Sequence, residues 1–168
     1  DVQRVFPNQT YRQSPQLFRG TAFGQYEDVS SRVGEDFRIP RVARGLILGD
    51  IDEDGDVDVI LSTRQGRPVV FENRRAAEDR NHYLRVRLHG KGPNTDALGA
   101  RVRLTTSGTT QTRFVRTGSS YLSQSELTLT FGLGRAERVD RLEIRWPAGG
   151  EVVVPVDAVD RTIDVYEE

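Results

Sequence analysis

The spacing of hydrophobic and polar residues along the chain predicts an all-β fold. Short runs rich in Val, Ile and Thr, separated by Gly, Asn, Asp and Ser, recur about every ten residues. Few segments have the three-to-four-residue spacing of apolar positions that an amphipathic helix requires. Short, regularly spaced strands joined by tight turns are typical of β-sandwiches and β-propellers.

The first half of the chain predicts a small meander of strands. Residues 1–44 have the least regular pattern, with two short candidate strands at residues 16–19 and 25–29. The pattern is clearer from residue 45 onward. Here three strands joined in sequence are predicted, at residues 46–48, 57–63 and 67–72. Such a meander has the size of one partial β-propeller blade.

The second half predicts a separate β domain. The charged segment at residues 73–80 has no apolar periodicity and predicts a linker, which divides the chain into domains at 1–80 and 81–168. Seven strands, each with one apolar face, are predicted beyond it, at residues 83–88, 100–104, 111–116, 127–131, 139–146, 152–156 and 162–166. They would close into a small β-sandwich or barrel. Residues 118–126, GSSYLSQSE, form a polar connection longer than a turn.

Composition excludes several classes of partner. The chain has 25 Asp and Glu residues against 24 Lys and Arg residues, so we expect no nucleic-acid partner. No apolar run approaches the roughly 18 residues of a membrane span, so we expect no membrane insertion. Cysteine is absent, which excludes disulfides and cysteine-ligated zinc. Methionine is absent too, which indicates a processed product or, as we favour, a fragment of a longer protein.

Residues 50–58, DIDEDGDVD, predict a calcium-binding turn. Aspartate occupies every odd position, with Gly55 at the sixth, and a tightly curled loop brings alternate side chains together. Ca²⁺ takes six to eight oxygen ligands. Those we predict are the side chains of Asp50, Asp52, Asp54 and Asp58 and the main-chain carbonyl of Asp56. The alternative is a solvated acidic turn with local hydrogen bonds. Mg²⁺ is disfavoured because it prefers near-octahedral geometry with retained waters.

Other candidate residues favour structural roles. His82 and His89 have an odd spacing on one strand, so they face opposite sides and cannot share a metal. Trp146 continues an apolar strand face, which favours a core position over an exposed ligand platform. The Gly-Leu-Gly at residues 132–134 predicts a bulge or a close backbone contact. The serines of residues 118–126 lack the Gly-x-Ser-x-Gly elbow of hydrolases, and we expect no enzyme.

One candidate surface for ligands lies in residues 118–126. Tyr121, Ser123 and Gln124 combine an aromatic ring with hydroxyl and amide groups, which together bind sugars or proteins by stacking and hydrogen bonding. We therefore predict a protein or glycan ligand here. The alternative is a buried Tyr121 that anchors a long loop.

Two families resemble parts of the chain. GDIDEDGDVDVILST at residues 49–63, with the short strand ending at Glu72-Asn73, resembles an FG-GAP or VCBS-type repeat, the calcium-loop blade of integrin-α-like β-propellers. Residues 81–150 resemble the ASPIC/UnbV domain of cartilage acidic proteins and many bacterial secreted proteins. The matching positions are Asn81, Leu84, Asn94, residues 99–102, Gly118, residues 121–125, residues 131–134, Trp146 and Pro147.

The resemblance implies a secreted, extracellular or periplasmic protein, calcium bound by the repeat at Asp50, Asp52, Asp54, Asp56 and Asp58, and no established catalytic activity. A propeller needs at least about four blades, and barely one fits before residue 80. We therefore expect the C-terminal part of a larger propeller protein, whose remaining blades would be partners, or an orphan blade packed against the second domain.

The function we expect is that of a calcium-binding, noncatalytic module for adhesion or ligand recognition. The alternative is a carbohydrate-binding or carbohydrate-acting domain of a secreted enzyme, with Tyr121 and Trp146 lining a sugar site. A third hypothesis for the function is a purely structural cap on a propeller.

Overall fold

The predicted all-β class is confirmed. A computed structural model describes residues 2–8, 10–64, 66–74 and 81–168, and this part is nearly all β. Its helices are short: α1 spans Val2–Val5, and single 3₁₀ turns span Ala22–Gly24, Ser30–Arg32 and Asp36–Arg38. None of the described helices is long and apolar enough to cross a membrane. Most of the predicted linker, residues 75–80, and the boundary near residue 80 lie outside the described residues.

The predicted meander is present in the first half of the chain. Strands β1 (Phe18–Gly20) and β2 (Tyr26–Asp28) pair as an antiparallel hairpin. Strands β3 (Ala43–Gly49), β4 (Asp58–Thr63) and β5 (Val69–Phe71) then form an antiparallel sheet in the order β3-β4-β5, which we call the meander. Its strands carry few buried side chains, and β3 contributes two leucines that remain about two-fifths exposed, at 38% and 40%.

The second half contains the seven predicted strands. They are β6 (His82–His89), β7 (Arg101–Thr106), β8 (Thr109–Phe114), β9 (Leu129–Gly134), β10 (Arg141–Arg145), β11 (Glu151–Val154) and β12 (Arg161–Tyr166). Two sheets result, in the orders β11-β10-β7-β8 and β12-β6-β9. Both sheets contribute side chains to one buried apolar cluster. The described strands therefore form a β-sandwich, and none of their sheets closes into the barrel that was the other expectation.

The core of this β-sandwich follows the period-two pattern. Alternate residues of β6, β7, β9 and β10 point inward and are almost fully buried, including Leu84, Val86, Val102, Phe131 and Ile144. Trp146 is 6% exposed and belongs to the same cluster, so its predicted core position is confirmed. The opposite face of β6 points away from the core, and it carries the residues that reach the meander.

Three local features refine the predictions. The predicted bulge at residues 132–134 is confirmed, because Gly132 and Gly134 pair with consecutive residues of β6. Strand β11 ends at Val154 instead of residue 156, since Pro155 has no amide hydrogen to donate to a neighbouring strand. The apolar face predicted for residues 111–116 is only partly present: Val115 is buried in the core just beyond the end of β8, whereas β8 itself has no buried residue. Gln111 and Arg113 of this edge strand instead contact β9, through a hydrogen bond to the carbonyl of Gly132 and a guanidinium over the Phe131 ring.

Candidate metal centre

The acidic loop connects β3 to β4. Gly49 and Asp58 are paired as the last rung of these two strands, so residues 50–57 form the loop of a hairpin. Glu53 and Gly55 both have positive φ angles, of 61° and 91°. Left-handed backbone at two nearby positions curls the chain tightly, and glycine adopts this conformation without the steric cost of a side chain.

Three of the predicted ligands are brought together. Carboxylate oxygens of Asp50, Asp52 and Asp58 lie within 4.8 Å of one another. An ion about 2.3–2.6 Å from each ligand oxygen spans oxygens up to about 5 Å apart, so this spacing fits Ca²⁺. Asp50 and Asp58 are 6% and 1% exposed, whereas Asp52 faces solvent. Asp50 and Asp58 would hold the ion from the buried side of the site, and Asp52 would hold it from the side that faces solvent.

The two buried aspartates also organise the loop backbone. Asp50 accepts hydrogen bonds from the amides of Asp54 and Gly55, at 3.1 and 2.9 Å. Asp58 accepts from the amides of Ile51 and Asn73, at 2.9 and 2.8 Å. Each carboxylate oxygen has two lone pairs, so an oxygen that accepts one of these bonds still has a lone pair for a cation. These hydrogen bonds hold the two carboxylates in place before any ion binds.

Burial makes the charge on Asp50 costly. It is the main reason that the pKa of Asp50 is raised, although the amides of Gly55 and Asp54 and the guanidinium of Arg85 each act to lower it. The charged form is therefore less favourable than it would be in water. A divalent cation beside Asp50 would offset this cost.

The other two predicted ligands are placed differently. The carboxylate of Asp54 accepts a hydrogen bond from the amide of Asp56 at 2.9 Å, which tightens the loop locally. Asp56 was expected to contribute its main-chain carbonyl, and that assignment stays a prediction. The described acidic group thus holds three side chains of the predicted four.

Arg85 is the main residue that the sequence analysis missed. Its side chain is only 1% exposed and lies on the face of β6 that points toward the acidic loop. Its Nε is 3.2 Å from a carboxylate oxygen of Asp50, and Nη1 is 3.6 Å from Glu53. Its Nη2 donates to Glu126. Nε and Nη1 have no hydrogen-bond partner among the described residues, so they contribute charge more than directed bonds.

Residues 118–126, which we call the docking segment, cover the outer edge of β3. The amides of Leu46 and Leu48 donate to the hydroxyls of Ser120 and Ser125, at 3.0 and 3.1 Å. The amide of Glu126 donates to the carbonyl of Leu48 at 2.9 Å, and the amide of Asp50 donates to the Glu126 carboxylate at 3.1 Å. The unpaired backbone amides and carbonyls of an open strand edge promote aggregation. The docking segment provides hydrogen-bond partners for these groups of β3. The meander therefore packs against the β-sandwich through this segment, and its identity as a propeller blade stays a prediction.

Two of the three residues of the predicted ligand surface lie on the other side of the same segment. Tyr121 is 64% exposed, so it does not anchor the loop as a buried ring. Gln124 is exposed, and Ser123 is half-buried, with its hydroxyl donating to the carbonyl of Tyr121 at 2.9 Å. A side chain added at Gly45 would meet the Ser123 hydroxyl at 2.0 Å, so Ser123 packs directly on β3. Tyr121 and Gln124 remain open to solvent, while Ser123 faces the meander.

The two histidines are placed apart, as predicted. His82 contacts Asp160 at 2.7 Å, and His89 contacts Asp164 at the same distance. His89 also stacks on Tyr166, with ring centroids 4.4 Å apart. The two imidazoles therefore have separate carboxylate partners and do not share a site.

Comparison with known proteins supports one of the two resemblances. Residues 90–168 match a family model described as ASPIC and UnbV. The matched part of the β-sandwich, from β7 to β12, is similar to this family. The chain is also 36% identical to "Cartilage acidic protein 1" of Xenopus tropicalis, in an alignment of 109 residues that covers 62% of this chain. It spans 16% of that protein.

The ASPIC/UnbV match covers only part of the site. The docking segment lies inside the matched residues, whereas the acidic loop and Arg85 precede them. The resemblance of residues 45–73 to an FG-GAP or VCBS-type repeat thus stays a prediction, carried by the aspartate spacing and by the meander.

Proposed function

We propose that this chain is a calcium-binding, noncatalytic module of a secreted protein, extracellular or periplasmic, that acts in adhesion or ligand recognition. The observation that carries the calcium proposal is the convergence of Asp50, Asp52 and Asp58 in one hairpin loop. The extracellular setting is supported by the ASPIC/UnbV match and by the similarity to a cartilage acidic protein. The remaining blades of a longer propeller are proposed as partners in the parent protein.

Calcium binding is tested by calorimetry and thermal melting. With free calcium at ten times the dissociation constant, the free energy of unfolding is expected to rise by about 1.4 kcal/mol. For a chain of this size the melting temperature should rise by about 3–6 °C. A blank titration, with no difference between melts in calcium and in chelator, would remove the metal proposal.

Variants of the loop separate the ligand types. Asp52→Ala is expected to weaken calcium binding at least about tenfold, because it removes an exposed, charged ligand without uncovering a buried group. Asp54→Ala should also weaken binding. Asp56→Asn is the matched control, since it keeps the main-chain carbonyl, and its loss should be clearly smaller. An equal loss for Asp52→Ala and Asp56→Asn would contradict the proposed ligand set.

Ligand recognition is proposed for the exposed side of the docking segment. Tyr121→Ala should change the free energy of unfolding by less than about 0.5 kcal/mol, because the ring is exposed. It should abolish binding on arrays of glycans and of extracellular-matrix proteins. Tyr26→Ala is the control, since Tyr26 is a comparably exposed tyrosine of β2. Blank arrays for the unmodified chain, or equal binding by the Tyr121 variant, would remove this proposal.

The carbohydrate-specific alternative keeps only part of its predicted site. Trp146 is buried in the β-sandwich core and cannot serve as a platform for a sugar ring. A sugar site on the docking segment would therefore depend on Tyr121 and Gln124.

A further inference from the structure

We propose that calcium bound at the acidic loop strengthens the attachment of the meander to the β-sandwich, with Arg85 and Glu126 as the coupling residues. This inference rests on the proposed calcium site and goes beyond it, because it gives the metal a role in holding two parts of the molecule together.

Asp50 belongs to both the acidic group and the attachment. Its carboxylate is one of the three that converge in the loop, and its amide donates to Glu126 in the docking segment. Its carboxylate and main-chain carbonyl also lie 3.2 and 3.5 Å from nitrogens of Arg85, on β6. An ion that fixes Asp50 therefore also fixes a residue that the β-sandwich holds from two sides.

The balance of charges around Arg85 determines whether calcium strengthens or weakens the attachment. Arg85 contacts the carboxylates of Asp50 and Glu53 on the meander side and that of Glu126 on the β-sandwich side. One guanidinium does not balance these three carboxylates, and Asp50 is also grouped with the carboxylates of Asp52 and Asp58. Their mutual repulsion acts across the attachment, so a divalent cation in the loop reduces it. Coupling between binding and attachment is reciprocal, and the attached state should bind calcium more tightly.

The attachment has its own spectroscopic reporters. Four amides form hydrogen bonds between residues 46–50 and the docking segment, those of Leu46, Leu48, Asp50 and Glu126. They exchange with solvent when the meander separates from the β-sandwich. The amide of Trp146, which donates to the carbonyl of Gly150 in the β10–β11 turn, is a reporter that takes no part in the attachment.

Hydrogen exchange of the whole chain, with saturating calcium and with chelator, tests the coupling. Calcium is expected to slow exchange of the four attachment amides about tenfold. The amide of Trp146 should exchange at the same rate in both conditions. Glu126→Gln should still bind calcium by calorimetry but lose most of the slowing, because it removes the β-sandwich carboxylate whose repulsion with the acidic loop calcium reduces. Glu143→Gln is the matched control, since Glu143 on the outer face of β10 pairs with Arg103 of β7 and Arg141 of β10.

The possible outcomes separate the two proposals. No heat of calcium binding would overturn the calcium site and this inference with it. Calcium binding with unchanged exchange at Leu48 and Glu126 would overturn the coupling alone. Equal slowing in Glu126→Gln and in the unmodified chain would overturn the role of Glu126. The unmodified chain decides the coupling by itself if Glu126→Gln does not fold.

Discussion

Replacing Arg85 with alanine is expected to lower the free energy of unfolding by about 3–5 kcal/mol. The substitution leaves the buried carboxylate of Asp50 without the guanidinium beside it, and it also removes the cation bonded to Glu126. A buried charge without a counter-charge is one of the most destabilising changes known in proteins. Urea denaturation in chelator is the appropriate measurement, because calcium would partly replace the lost positive charge.

Arg87→Ala is the matched control for this prediction. Arg87 lies two residues further along β6, 45% exposed, and its nearest contact with Asp164 is 3.8 Å. Loss of such a surface pair should cost less than about 1 kcal/mol. A double variant with Glu126→Ala should cost less than the sum of its two single changes, because each removes the same interaction. Equal losses for Arg85→Ala and Arg87→Ala would contradict a central role for Arg85.

Period-two spacing made most of the strands predictable, because β6, β7, β9 and β10 each place one face against a single core. Leu84 and Val86 are two positions apart and both fully buried. The sequence pattern fails at β8, an edge strand that contacts β9 through the polar side chains of Gln111 and Arg113 and has no buried apolar residue. The order of the strands within each sheet could not be predicted from the sequence either. The parallel pairing of β6 with β12 joins residues more than seventy positions apart, and no local pattern encodes it.

The candidate site was predictable only where its residues are close in sequence. The odd-position aspartates of one loop indicated that Asp50, Asp52 and Asp58 would converge, because a tight loop keeps neighbours together. Arg85 and Glu126 come from 35 and 76 residues away from Asp50, so only the tertiary fold brings them there. One signal was present: Arg85 stands between Leu84 and Val86 in a strong strand, and a charge in such a position requires a partner.

The sequence showed that the docking segment is unusually long and polar, but it did not show that the segment pairs with the edge of β3. Ser123, with Tyr121 and Gln124, was predicted to contact a ligand, because hydroxyl groups serve equally well as partners for a bound molecule or for a strand edge. The structure assigns Ser120, Ser125 and Glu126 to the edge of β3. The choice between these roles depends on which strand faces the segment, and that is a property of the fold.

Gly55→Ala is expected to lower the free energy of unfolding by about 2–5 kcal/mol. About 1–2 kcal/mol comes from the backbone, since a side chain at a φ of 91° is strained. About 1–3 kcal/mol comes from overpacking, because the added methyl group would meet the Tyr83 ring at 2.1 Å. The ring cannot move away freely. Tyr83 is on β6, and its hydroxyl donates to the main-chain carbonyl of Glu53 at 3.3 Å.

Gly150→Ala isolates the contact with the ring from the strain of the backbone. Gly150 has a φ of 89°, almost the value at Gly55, but nothing within 4 Å of the added methyl group. The difference in stability between the two variants therefore measures how closely the acidic loop is held against β6. If the two substitutions lower the free energy of unfolding equally, the loop can move away from Tyr83 without loss of stability. Its contact with the β-sandwich then does not constrain it. If Gly55→Ala costs more, and also weakens calcium binding, then Tyr83 holds the loop in the conformation that brings its aspartates together.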